Sequence, residues 1–188
     1  MFDIATSFLE LGIKHIIPDG FDHILFVLGL FLISPQIKPL LKQATVFTIA
    51  HSIALILVAK KFILPNPSII EPLISISIVF VAVENIFFTQ IKFRRYLVIF
   101  LFGLIHGMGF ASAFIESSKN QTYFFTSLFS FNIGVEIGQI IILLLAYFII
   151  GKPYGSETWY RKKIVIPVSL LIALIALYWT CIRLFVHV

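Results

Sequence analysis

The chain has 188 residues, of which 60% are hydrophobic and 12% charged, with a mean hydropathy of +1.05 and a formal net charge of +5. A soluble domain is about half apolar and about a quarter charged, so this composition excludes an ordinary soluble fold and points to a polytopic membrane protein. The basic residues stand in short segments beside apolar runs, so their partner is an anionic bilayer surface and not nucleic acid.

Residues 3–17 place Ile4, Phe8, Leu11 and Ile16 among Asp3, Glu10 and Lys14, which predicts a short amphipathic or interfacial helix. Its start lacks a basic n-region and a small-residue cleavage site, so no removed signal peptide is expected. Pro18 and Gly20 break the helix. The first span, 21–34, is shorter than the usual crossing of about 20 residues. It is therefore either joined to the preceding helix or set in a thinned region. Further spans are expected at 43–59, 72–89, 96–115, 123–150 and 164–185. The expected fold is an all-α transmembrane helical bundle of about six spans plus an N-terminal interfacial helix, one integral-membrane domain over 1–188. Cys181 is the only cysteine, which excludes an intrachain disulfide and a thiolate metal site.

Lysine and arginine placement predicts the orientation. Lys38, Lys42, Lys92, Arg94, Arg95, Lys152, Arg161, Lys162 and Lys163 fall on one side of the bundle. Lys14, Lys60, Lys61, Lys119 and Arg183 fall on the other. The first, larger group marks the cytoplasmic side, which puts both termini outside. Tyrosines and tryptophans near span ends, such as Tyr96, Tyr154 and Trp159, suit an aromatic belt.

The chemistry begins at HIIPDGFDH, His15 to His23, at the mouth of the first span. Ionisable groups beside hydrocarbon are costly and mark a functional site by default. Counted along the spans, His51, Glu84, His106 and Glu136 converge near mid-membrane, with no lysine or arginine expected at that depth. A bound cation or a proton would make the carboxylates tolerable there. Histidine and carboxylate suit a divalent metal such as zinc or nickel. The candidate ligands are His15, Asp22, His23, His51, Glu84, His106 and Glu136. They exceed the needs of one ion, so either two sites exist or some of them only orient the others. Asp19, Ser52, Asn85, Asn132 and Gln139 are candidates for such orienting partners. The competing reading is that these side chains hydrogen-bond across helices and serve packing. Gly103, Gly107, Gly109, Gly134 and Gly138 flank the site and permit close helix approach. The inner ends of the helices, LFLIS and YLVIF, look dry.

HIIPDGFDHILFVLGLFLIS, VFTIAHSIALIL, EPLISISIVFVAVENI, FGLIHGMGFA and FNIGVEIGQ, in this order, resemble the HupE/UreJ family of bacterial membrane proteins. The resemblance runs from about Phe8 to Arg183. It implies a bacterial inner-membrane location and a link to nickel supply for hydrogenase and urease, usually described as metal permeation. The family's histidine–aspartate–histidine signature maps onto His15, Asp22 and His23, and its His-Gly element onto His106 and Gly107. Nickel-linked members have five residues between the first histidine and the Asp-His pair; here there are six, Ile16 to Phe21.

The expected function is transport of a divalent metal through this site. One alternative is an intramembrane hydrolase with a metal-activated water and Glu84 or Glu136 as general base. Another is an accessory protein that holds metal for a metalloenzyme-maturation partner. A permease needs polar groups across the full depth, whereas a hydrolase needs one compact, one-sided site.

Overall fold

The computed structural model describes residues 2–118 and 123–185. Lys119, one of the charges used for orientation, lies outside the described residues. The described chain is helical throughout its ordered elements: α1 (Phe2–Ile16), α2 (Phe21–Leu32), α3 (Ile37–Ala59), α4 (Pro67–Phe87), α5 (Phe93–Ser117), α6 (Phe124–Tyr154) and α7 (Arg161–Phe185). The last five are each long and apolar enough to cross a membrane. The pair α1–α2, bent by 69° at its break, passes the same criteria when taken together. The expected bundle is therefore present, but the expected interfacial helix is corrected: α1 buries Phe8, Gly12 and Ile16 and joins the short first span as half of one bent pair.

Local chemistry explains the helix ends. Pro18 and Gly20 separate α1 from α2, and the Ile17–Pro18 peptide is cis. Asn66 caps α4 by accepting from the Ser68 N–H at 3.0 Å, and Pro67 takes the first helical position, where a missing N–H costs nothing. Lys61 turns the chain out of α3 through a left-handed conformation, φ 60°. Four helices begin earlier than their apolar runs do: α3 at Ile37, α4 at Pro67, α5 at Phe93 and α7 at Arg161. Their first turns are polar or proline-containing, so hydropathy alone places these starts too late.

Glycine seams set which helices touch. A methyl group on Gly12 would run into the Phe131 carbonyl oxygen, and one on Gly134 into that of Leu9, so α1 lies backbone to backbone along α6. A methyl on Gly107 would sit 2.5 Å from the His51 carbonyl oxygen, which brings α5 equally close to α3. Small residues at such seams are what lets helices pack tightly where lipid, not water, surrounds them. Exposed Leu97, Leu101, Phe129, Leu171 and Leu174 face outward.

The contacts also fix direction. Gly12 meets Phe131 and Gly138 meets Ile16, so α1 and α6 run parallel. Gly103 meets Phe47 and Gly107 meets His51, so α3 and α5 run parallel. Ser77 reaches His106 and Glu84 reaches Arg95, so α4 and α5 are antiparallel. Arg183 reaches Glu71 and Arg161 reaches Ile86, so α4 and α7 are antiparallel. Thr45 reaches Glu136, with His51 stacked on Phe131, so α3 and α6 are antiparallel. The crossings thus alternate from the bent first span through α7. One end of the bundle, here the terminal end, carries the start of α1, the α3–α4 connector and the end of α7. The other, the basic end, carries Lys38, Lys42, Lys92, Arg94, Lys152, Arg161, Lys162 and Lys163.

Candidate metal centre

The break between α1 and α2 delivers His15 and His23 to the same place from two helices. Their ring centroids lie 4.5 Å apart, edge to face. Gly20 lies under both: a methyl on it would collide with the His15 carbonyl oxygen and sit 3.2 Å from Nδ1 of His23. His51 comes from α3, its ring 5.7 Å from that of His15 and 6.3 Å from that of His23. One nitrogen from each of these three rings lies within 4.8 Å of the others.

Aromatic rings wall this cluster. His51 is fully buried and stacks between Phe47 and Phe131, each with its centroid 6.1 Å away. His15 rests on Phe110 at 3.8 Å, and Phe110 in turn stacks on Phe131 at 5.1 Å. His106, on α5, sits edge-on to His23 at 5.0 Å, with Phe26 and Phe47 beside it. It shares a 3.0 Å hydrogen bond between its Nε2 and the Ser77 hydroxyl. That bond fixes the ring and leaves Nδ1 without a partner. The walls are apolar, so the rings are held by shape and the nitrogens get few partners from them.

The nitrogens are the telling part. Nε2 of His15, Nε2 of His23 and both nitrogens of His51 are buried and make no hydrogen bond within the protein. Each such orphan costs about 1–3 kcal/mol. A packing role would pair these groups across helices, which is not what the rings do. A divalent cation bound at about 2.0–2.1 Å by tetrahedral nitrogen ligands needs them about 3.3 Å apart. The three nitrogens lie within 4.8 Å of one another, at most about 1.5 Å wider than that spacing. Neutral imidazoles suit zinc, nickel and copper better than calcium or magnesium, which prefer oxygen. The donor set therefore fits a transition-metal cation.

A cavity of about 430 Å³ adjoins the cluster, lined among others by His15, Asp19, Asp22, His23, Glu71 and His106. Asp22 does not join the three histidines. Its Oδ2 accepts from Arg183 at 2.8 Å, and its Oδ1 has no partner. Asp19 is exposed on the cavity wall.

The two glutamates sit elsewhere, contrary to the expected convergence in depth. Glu84 lies seven residues past Ser77 on α4, about 10 Å farther toward the basic end. There it forms an ion pair with Arg95, a side chain only 1% exposed. Arg95 is thus no loop charge, and the expectation that no cation would stand near the glutamates is corrected. Arg95 also donates from Nε to Gln43 at 2.9 Å and reaches Asn85 at 3.4 Å, while Asn85 donates to the Gly29 carbonyl at 2.7 Å. Asn85 therefore serves this second cluster, not the histidines. Glu136 accepts from Thr45 at 2.6 Å; Thr45 lies six residues before His51 on α3, again about 9 Å toward the basic end. The resulting arrangement has two layers, histidines first and glutamates with Arg95 deeper. The inner ends are not dry: Gln43, Glu84, Asn85 and Arg95 occupy them.

Among the expected orienting residues, Ser52 bonds back to the Thr48 carbonyl at 2.7 Å and holds no histidine in this way. Asn132 lies beside His51, donates to the Leu128 carbonyl at 2.8 Å and keeps an unpartnered Oδ1. Gln139 is buried with both side-chain atoms unpartnered. Sequence reasoning missed Ser77, Thr45, Gln43 and Arg183, because a lone hydroxyl, amide or terminal arginine carries no motif. Arg95 was visible but assigned to the loop, since hydropathy starts that span one residue after it.

The family model for HupE / UreJ protein matches residues 1–183, and the chain belongs to that family. No curated protein and no solved structure matches it. The family is generally linked to nickel or cobalt uptake or to accessory roles in metal supply.

Proposed function

We propose that the protein carries a divalent transition-metal cation, nickel or one of similar chemistry, across a bacterial inner membrane. The cation enters the cavity at the terminal end and is taken by His15, His23 and His51, with His106 and Asp22 alongside. It then moves toward Glu136 and the basic end. The observation that carries this reading is the set of unpartnered imidazoles, followed about 10 Å deeper by a second polar layer. A single compact site would need only the first. In this reading Glu84 is paired to Arg95 and helps close the basic end, so Glu136 is the carboxylate met on the way. The larger number of lysines and arginines at the basic end supports a cytoplasmic position for it and an outside position for both termini.

One observation favours the hydrolase reading: His15, His23, His106, Asp19 and Asp22 line one cavity. A metal-activated water there would use Asp22 before either distant glutamate. Proteoliposomes loaded with a metal-sensitive dye separate the two. Influx of nickel, cobalt or zinc that disappears in His23→Ala and His106→Ala is the expected result. Stoichiometric binding with no flux, under either direction of pH gradient, overturns transport and leaves hydrolysis or metal holding for a maturation partner.

A further inference from the structure

Arg183, near the end of α7, lines the mouth of the metal cavity. Its guanidinium donates to Asp22 Oδ2 at 2.8 Å and to the Glu71 carbonyl oxygen at 3.2 Å, and it lies over the Trp179 ring at 5.7 Å. A fixed positive charge beside a cation site opposes binding unless it does something else. Asp22 precedes His23 directly, in the first turn of α2, and its second oxygen is buried and unpartnered. The three clustered imidazoles are neutral ligands. A divalent cation on them keeps its full charge in a poorly screened interior, so it draws in a neighbouring anion, and Asp22 adjoins His23 in the chain.

We propose that Arg183 is a built-in counter-cation: it holds Asp22 when no metal is bound and is displaced from it when one binds. Asp22 then serves two cations in turn, and its bonds to the guanidinium and to the metal are mutually exclusive. The guanidinium, anchored by the Glu71 carbonyl and Trp179, withdraws toward the cavity mouth. The device keeps a partly buried carboxylate paired in both states. It also makes entry of a metal depend on breaking an ion pair, which a weakly bound or singly charged ion does poorly. Arg183 is thus a positioning residue that acts through Asp22. The inference rests on the metal site proposed above.

Calorimetric titration of the purified protein with nickel and zinc tests it. Arg183→Gln removes the competitor, so binding tightens at least about fivefold, the low end for coupled equilibria. Asp22→Asn weakens binding. In the Asp22→Asn background the effect of Arg183→Gln shrinks markedly, because the carboxylate that the guanidinium holds at 2.8 Å is gone. Binding by Arg183→Gln that equals or falls below that of the wild type overturns the proposal. So does an undiminished tightening in the Asp22→Asn background, which would be plain charge repulsion. If Arg183→Gln does not fold, Arg183→Lys carries the test: it keeps the charge, loses the forked donor and binds more tightly by a smaller factor. Unchanged or weaker binding by it overturns the proposal too. If the wild type itself binds neither metal, the metal site falls and the counter-cation with it. If the wild type binds and the variants do not tighten, only the counter-cation falls.

Discussion

A guanidinium buried among helices is stable only with acceptors around it, and Arg95 has them in Glu84, Gln43 and Asn85. Removing one member of such a pair leaves a charge without compensation, at a cost of about 3–5 kcal/mol. Replacing both by apolar groups of similar volume is often near neutral. Arg95→Met is therefore expected to lower thermal stability in detergent by about that much, and the Arg95→Met, Glu84→Met double variant to recover most of it. Metal binding by the histidine layer should survive in the double variant. A double variant as unstable as the single one would show that the pair is not an independent unit. The sequence made the histidines legible as candidates, since imidazole in an apolar run is conspicuous. It did not reveal which glutamate had a partner. That depended on whether Arg95 lay inside or outside a helix, and an apolar-run criterion cannot see a polar first turn.

At the level of helices, the site depends on a break and on close seams more than on any one helix. Gly20 is the sharpest case, because its Cα faces both the His15 carbonyl and the His23 ring. Gly20→Ala should leave helix content unchanged by circular dichroism and weaken metal binding tenfold or more, the effect of losing about 1.4 kcal/mol of ligand alignment. Unaltered affinity in that variant would mean that His15 and His23 are not both ligands. The glycines along α5 and α6 could be read in the sequence as permitting close approach. Which helices they joined could not, because a small residue marks a close contact without naming its partner. Pro18 and Gly20 were legible as a helix break. The geometry that makes α1 and α2 one bent crossing comes from the docking of α1 on α6, a long-range contact with no local signature.

For the whole molecule, the alternation of crossings makes a simple claim about sidedness. Reporter fusions after Pro35, Gln90 and Glu157 should all report one compartment, and a fusion after Ile63 the other. By the basic residues near the first three, that compartment is expected to be the cytoplasm. A fusion after Gln90 that reports the same side as one after Ile63 would remove a crossing and with it the antiparallel pairing of α4 with α5. The number of spans was legible from hydropathy. Their neighbours were not. Lipid surrounds the bundle, so outward and inward apolar faces look alike in composition, and only the seams and buried polar contacts distinguish them.

The non-helical stretch between α1 and α2 has a consequence for how the chain tolerates change in length. Inside a helix, one added residue turns everything beyond it by about 100°. Between Ile16 and Phe21 no such phase is kept, because α2 takes its rotation from its own contacts, through Gly29 against Val81 and Asn85 on α4. An extra residue there lengthens a tether without swinging His23 away from His15. Five or six residues between His15 and Asp22 can therefore present the same two imidazoles, and counting them is a poor ruler for which metal the protein accepts.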